Sequence, residues 1–219
     1  MNPHGVRLVR TGLLAAALVL GGGAGALLDL GPSRETPTAA EPVPDASGND
    51  AGRESDRTGT VAFELTSQHG KRITAEQLRG RVLLVFFGYT HCPDICPTTL
   101  VQMKLAREQL GTAAGDFQGV FITVDPARDT EARLRDYVGH FDTTLLGLTG
   151  ADEEIAAAAR SFGAFYERGD AVPGGYLMGH TAFGYLVDRD GRIGTLFPND
   201  AALDDIVTAL KSAIARGDA

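Results

Sequence analysis

The chain has 219 residues, of which 43% are hydrophobic and 22% are charged, a balance typical of a globular protein. Its formal net charge of -8 leaves no basic surface for phosphates, so we expect no nucleic-acid partner. The sequence contains 2 cysteines, too few for a small fold held together by disulfides. Cys92 and Cys96 therefore indicate a local redox or metal-binding site.

The first 30 residues are predicted to direct export. Arg7 and Arg10 precede an uncharged, largely apolar run at residues 11–28, which is close to the minimum length that crosses a bilayer. Positive charge before an apolar core also describes a secretory signal peptide, and residues 24–26 (Ala-Gly-Ala) offer a cleavage site. A retained membrane anchor and a cleaved signal both stay open, and both place the rest of the chain outside the cytoplasm.

The remaining sequence divides into a linker and one domain. Pro, Ala, Ser, Asp, Glu and Gly dominate residues 31–59 and large apolar residues nearly vanish, so this segment is predicted to be a flexible linker. A folded domain is predicted over residues 60–219.

The start of this domain predicts a strand, a helix and a parallel strand. Residues 82–87 and 119–124 are continuous apolar runs of strand length, as in strands buried on both faces. Leu100, Met103 and Leu110 repeat with helical spacing between them and predict a helix over residues 96–110. The three elements form a βαβ unit.

The second half adds elements that complete the fold. Helices are predicted at residues 130–141, 152–162 and 201–215, the first with Asp129 or Thr130 as its N-cap. A strand is predicted at residues 145–148 and an irregular loop at 170–175. Residues 181–187 and 192–197 are predicted to form a hairpin around a turn at 188–191. This order predicts an α/β protein of the thioredoxin-like fold, with a central mixed sheet flanked by helices.

The two cysteines fall where that fold places its chemistry, after a buried strand and at the start of the next helix. A helix N-terminus offers unpaired N–H groups and a partial positive charge, which stabilise the thiolate. Pro97 suits an early helical position. The C-x-x-x-C spacing is one residue longer than that of dithiol oxidoreductases, which lets both sulfurs face one ion and does not forbid a disulfide. Two inert buried cysteines are the remaining alternative.

A metal site with two sulfurs needs a further ligand, and His180 is the best placed of the 5 histidines. It follows the irregular loop and directly precedes a predicted strand, a junction that lies beside the cysteine loop in a thioredoxin-like fold. The other four are predicted to serve elsewhere: His4 in the export segment, His69 in a solvated turn, His91 pointing away from Cys92, and His140 at a helix end. Two thiolates and an imidazole would suit Cu(I) and tolerate Cu(II), whereas zinc prefers a fourth ligand and iron–sulfur clusters need more cysteines.

Three blocks of this sequence closely resemble the Sco/SenC family of copper chaperones. They are residues 86–97 (FFGYTHCPDICP), residues 124–130 (VDPARDT) and residues 180–187 (HTAFGYLV), the last followed by Asp190-Gly191. Residues 63–65 with 70–71 also resemble the opening strand of the family. The likeness covers essentially the whole domain, with the blocks in order.

The resemblance implies that one copper ion, as Cu(I) or Cu(II), is held by Cys92, Cys96 and His180. It implies delivery of copper to the CuA site of subunit II of cytochrome c oxidase, with a periplasmic copper donor and a thiol reductant as further partners. Asp125 matches an acidic residue that lies close to the site in the family. We expect a monomer anchored at the extracytoplasmic face of the cell membrane.

The third block departs from the family pattern in two ways. Met178-Gly179 precede the histidine where the family usually has an acidic residue, and Thr181 replaces a serine. Neither change removes a ligand. Met178 carries a soft thioether, but we expect it to pack rather than to bind copper.

Two other functions compete with the chaperone. The cysteines could act as a thiol–disulfide oxidoreductase that reduces the cysteines of the oxidase copper site, with Cys92 as the attacking sulfur. A peroxidase-like thiol enzyme is a third possibility, although no partner motif accompanies the cysteines. His180 discriminates between these functions, since a redox reaction does not require an imidazole there.

Overall fold

The computed structural model describes residues 59–173 and 175–217. The predicted export segment and nearly all of the predicted linker lie outside these residues. Within the described ranges, none of the helices combines the length and the apolar character that a membrane crossing requires.

Strands and helices alternate in the middle of the described chain, from residue 82 to residue 162, and four consecutive strands and a last helix follow. The strands are β1 (Glu64–Ser67), β2 (Arg72–Thr74), β3 (Val82–Gly88), β4 (Phe117–Thr123), β5 (Leu146–Thr149), β6 (Tyr166–Val172), β7 (Gly175–His180), β8 (Phe183–Val187) and β9 (Ile193–Pro198). The α-helices are α1 (Ile95–Leu110), α2 (Glu131–Phe141), α3 (Asp152–Phe162) and α4 (Leu203–Arg216), and short 3-10 turns cover Glu76–Leu78 and Gly111–Asp116.

Seven strands form one mixed sheet in the order β2-β1-β5-β4-β3-β8-β9. The pairs β3–β4 and β4–β5 are parallel, which confirms the predicted βαβ unit, and the other pairs are antiparallel. Every residue of β3 is buried, because strands lie on both of its edges and side chains cover both of its faces. A thioredoxin-like sheet flanked by helices is therefore confirmed.

Most predicted boundaries agree with the structure to within one or two residues. The helix predicted at 152–162 is α3 itself, and Thr130 caps α2, since its side chain accepts a hydrogen bond from the backbone N–H of Arg133 at 3.2 Å. Asp129, the other proposed cap, has a different role.

The prediction of an irregular loop at residues 170–175 is wrong. Strands β6 and β7 form an antiparallel hairpin there, a two-stranded sheet separate from the main one. His180 is consequently the last residue of β7 and pairs with Tyr166, instead of lying at the junction between a loop and the next strand.

Candidate metal centre

The two cysteines lie where the central strand gives way to the first helix. Strand β3 ends at Gly88 and α1 begins at Ile95, so that Cys92 lies in the connecting loop and Cys96 in the first turn of the helix. The backbone N–H of Cys96 donates to Cys92 Sγ at 3.5 Å. Both cysteines are free; Cys96 is fully buried and Cys92 is half-buried.

His180 approaches the cysteines from the β6–β7 hairpin. Its Nε2 lies 3.8 Å from Cys96 Sγ, and its Nδ1 lies 3.1 Å from the backbone oxygen of Thr181. An Nδ1–H that donates to this carbonyl leaves the Nε2 lone pair facing the sulfurs. The imidazole also makes edge-to-face contacts with Phe86 and Tyr89, at centroid distances of 5.8 and 5.9 Å, which limit its rotation.

The ligand atoms of Cys92, Cys96 and His180 all lie within 4.8 Å of one another. Metal bonds to sulfur and imidazole nitrogen are about 2.0–2.3 Å long, as in zinc sites, so three donors this close can share one ion after small rotations. The structure thus brings together the three residues that the sequence analysis selected.

The other histidines in the described residues do not join this cluster. His69 and His140 are exposed, in a turn and at the end of α2, as predicted. His91 is also exposed, and its Nδ1 lies 3.2 Å from Thr90 Oγ1 and 3.8 Å from a carboxylate oxygen of Asp129.

The two sulfurs have opposite tendencies to ionise. A hydrogen bond from the Cys96 side chain, together with backbone N–H groups at the start of the helix, lowers the pKa of Cys92 to about 4. The neighbouring Cys92 sulfur and burial raise the pKa of Cys96. In the metal-free pair, Cys92 therefore ionises more readily than Cys96.

Asp125 is buried and lies outside the ligand cluster. Its carboxylate accepts hydrogen bonds from the Arg128 guanidinium and, at 2.7 Å, from the Tyr176 hydroxyl. Tyr176 belongs to β7, so Asp125 contacts the hairpin that carries His180 and not the ligands themselves.

Asp129 holds the cysteine loop, a role that sequence reasoning missed. This carboxylate is fully buried and accepts from the Thr90 N–H at 2.9 Å, the Thr90 hydroxyl at 2.7 Å and the Thr123 hydroxyl at 2.6 Å. It joins the loop after β3 to the end of β4. The only sequence signal was an aspartate next to the cap residue.

Two further residues shape the surroundings of the site. A Cβ on Gly88 would lie 2.7 Å from Cys96 Sγ, so the absence of a side chain there makes room for the sulfur. Met178 packs against the hydrophobic core, as predicted.

Comparisons with known proteins agree with this arrangement. The SCO1/SenC family model matches residues 51–215. A SCO2-like protein of Rickettsia felis is 39% identical over 151 residues, which cover 68% of this chain and 74% of the relative.

Two solved structures are similar in fold and sequence. Bradyrhizobium japonicum ScoI, solved with copper bound, is 40% identical with a TM-score of 0.65, covering 70% of this chain and 98% of that one. BsSco, described with a disulfide switch and as a member of the Sco family of cytochrome c oxidase assembly proteins, is 29% identical with a TM-score of 0.58, covering 71% and 93%.

Proposed function

Because the chain belongs to the SCO1/SenC family, we propose that it is a copper metallochaperone that delivers one copper ion to the CuA site of cytochrome c oxidase subunit II. The observation that carries the proposal is the convergence of Cys92, Cys96 and His180 within 4.8 Å. It is supported by ScoI, a similar structure with copper bound, and by BsSco, whose family assembles cytochrome c oxidase.

The donor set fits copper as a cargo that is bound and then released. Two thiolates and one imidazole are soft to intermediate ligands, which suit Cu(I) and accept Cu(II). Three protein ligands leave room for an incoming donor to add before an existing bond breaks. Cys92 is the accessible sulfur, while buried Cys96 must lose its proton when the metal binds.

The proposal includes a location and partners. Residues 1–30 act as a membrane anchor or as a cleaved export signal, either of which places the domain outside the cytoplasm, and residues 31–59 serve as the linker. A periplasmic copper donor loads the protein, and a thiol reductant keeps both cysteines reduced.

Copper titration of the full-length protein tests the ligand set. With a chromophoric competitor for Cu(I), we expect one ion per chain in the parent, no tight site in Cys92→Ala or Cys96→Ala, and much weaker binding in His180→Ala. His91→Ala is the matched control and should bind like the parent, since His91 lies outside the cluster. Equal affinity of the parent and His180→Ala would refute the ligand assignment.

Transfer to the purified copper domain of subunit II tests delivery. The copper-loaded parent should generate the CuA absorption bands in the copper-free domain, with a matching loss of copper from the donor. A parent that binds copper but never yields these bands would refute delivery and leave binding intact.

A thiol–disulfide reductase is the second candidate, favoured by the half-exposed Cys92 with its low pKa. The Cys92 thiolate would attack a target disulfide, forming a mixed disulfide and releasing one target thiolate. The Cys96 sulfur, after losing its proton, would then displace the second target thiolate and close a Cys92–Cys96 disulfide. Two electrons pass to the target, and the thiol reductant restores the pair.

His180→Ala separates the two functions. A chaperone loses delivery in this variant, whereas a reductase retains reduction of an oxidised subunit II domain, measured by thiol labelling. Reduction by the variant at the parental rate, with no copper delivery by the parent, would favour the reductase.

A further inference from the structure

The position of His180 depends on how the β6–β7 hairpin is held. In the described residues, these two strands pair with each other and share no ladder with the seven-stranded sheet. Most of β6 is exposed. The backbone of the main sheet therefore does not fix the hairpin, and contacts from its side chains and the loops beside it must do so.

Three residues, which we call the Tyr176 latch, make the closest of these contacts: Asp125, Arg128 and Tyr176. The Tyr176 hydroxyl donates to Asp125 Oδ1 at 2.7 Å, and Arg128 Nε donates to the other oxygen of the same carboxylate. Arg128 Nη1 also donates to the backbone oxygen of Tyr176 at 2.9 Å, so both the hydroxyl and the backbone of Tyr176 are held.

The Tyr176 ring is also enclosed between two cations. The guanidinium carbon of Arg128 lies 3.6 Å from the ring centroid, and that of Arg168, from β6, lies 3.7 Å away. Cation–π contacts of this kind add attraction and orient the ring. Arg128 comes from the loop after β4, so the ring joins the hairpin to the main domain.

The latch lies on the same strand face as the copper ligand. Side chains alternate along a strand, so Tyr176, Met178 and His180 share one face of β7, and each is partly buried where its neighbours are exposed. The edge-to-face contact of the His180 ring with Tyr89, at a centroid distance of 5.9 Å, adds a second attachment, to the loop that holds Cys92. Holding Tyr176 therefore holds the strand that ends in His180.

We propose that the Tyr176 latch positions His180 and thereby sets how tightly the protein retains copper and how readily it releases it. The inference rests on the copper role proposed above. None of the three residues belongs to the ligand cluster, so they are positioning residues. When the latch opens, the imidazole leaves with the hairpin and the two sulfurs remain open to an acceptor. The apparent affinity is then reduced by the fraction of molecules with the hairpin docked.

Tyr176→Phe in the full-length protein removes the hydroxyl and keeps the ring. Loss of one hydrogen bond to a carboxylate, partly offset by the remaining contacts, should weaken Cu(I) binding roughly three- to tenfold. Transfer of copper to a chelator should become faster, and the imidazole nitrogen coupling in the electron spin-echo spectrum of the Cu(II) form should weaken. Tyr166→Phe is the matched control: its hydroxyl makes no hydrogen bond within the described residues, although Tyr166 pairs with His180 itself.

A double variant distinguishes positioning from general damage. In a His180→Ala background, Tyr176→Phe should change copper affinity by less than twofold, because the latch acts only through the imidazole. The inference is overturned if Tyr176→Phe binds copper like the parent, or if it weakens binding equally in the presence and absence of His180. Affinity is measured without the oxidase, so a failure of delivery does not bear on it.

Discussion

Replacing Gly88 with alanine places a methyl group against the buried sulfur of the site. A Cβ at this position would lie 2.7 Å from Cys96 Sγ, 2.8 Å from a ring carbon of Phe121 and 3.0 Å from one of Phe86. Both rings are fully buried and closely surrounded. The sulfur or the strand must therefore move.

The distances give the size of the effect. Ordinary van der Waals contacts begin at 3.4 Å, so the new Cβ would be about 0.7 Å too close to Cys96 Sγ. A displacement of this size exceeds the roughly 0.5 Å within which the ligands of a binding site must be held. Overpacking of a core costs about 1–3 kcal/mol, and three simultaneous clashes place this variant in the upper half of that range. We expect copper affinity to fall about 10–100-fold, as for changes that displace a ligand indirectly.

Gly119→Ala is the matched control, because it overpacks the neighbouring strand away from the site. Its Cβ would lie 2.6 Å from the terminal Cδ2 of Leu145, while the next atoms are at 3.7 Å or beyond. The end of a leucine can rotate away, so we expect a loss of about 1 kcal/mol and no change in copper binding. Urea unfolding measures the stability of both variants, and Cu(I) competition measures their affinity.

Gly88→Ala and Gly119→Ala should differ in copper affinity, because only the first methyl group lies against a ligand sulfur. If Gly88→Ala loses stability but binds copper as well as Gly119→Ala does, the glycine serves packing alone. If it loses neither stability nor affinity, the strand can shift to accept the methyl group and the clash is not a real constraint.

Tyr137 and Cys92 offer two further tests of the surroundings of the site. The Tyr137 hydroxyl is buried and has no hydrogen-bond partner among the residues that the structure describes. Tyr137→Phe should therefore leave the free energy of unfolding unchanged or raise it by about 1–3 kcal/mol, and a loss above about 1 kcal/mol in urea unfolding would contradict this. In the metal-free protein, iodoacetamide should label Cys92 and not buried Cys96, as read by peptide mass spectrometry. Because the pKa of Cys92 is lowered to about 4, labelling should persist as the pH falls from about 7 to about 5 and decline only near the pKa. Labelling that disappears below about pH 8 would show an ordinary thiol.

Elements with strong hydrophobic patterns were predictable from the sequence. Strand β3 is a continuous apolar run and β4 is largely apolar, as expected of strands buried on both faces, and their parallel pairing follows from the helix between them. Helix α3 has the predicted bounds, since its apolar residues repeat at helical spacing and Gly163 ends it in a left-handed conformation.

The β6–β7 hairpin was not predictable in the same way. Strand β6 is almost entirely exposed, and β7 carries two glycines, so neither strand shows the alternation of apolar and polar residues on which strand prediction depends. Its attachment uses a carboxylate, two guanidiniums and a phenol from separate parts of the chain. Such contacts exist only once the tertiary fold has formed.

The site itself was predictable to different degrees. The cysteine motif is local and marks its position directly. His180 is 84 residues from Cys96 in sequence, and placement in the fold alone left its role open until the resemblance to the family was considered. Gly88 and Asp129 could not be selected, because a glycine in a strand and an aspartate beside a helix cap have many ordinary uses.

The three candidate ligands differ in how firmly the protein holds them, and this difference suits a carrier. Cys96 is fixed in the first turn of α1 and fully buried, Cys92 lies in a half-buried loop, and His180 ends a hairpin that is joined to the domain through side chains. The least constrained ligand should leave first and the most buried one last. In the delivery proposed above, an acceptor with soft ligands would first take the place of the imidazole and then of the Cys92 sulfur, without release of a free copper ion.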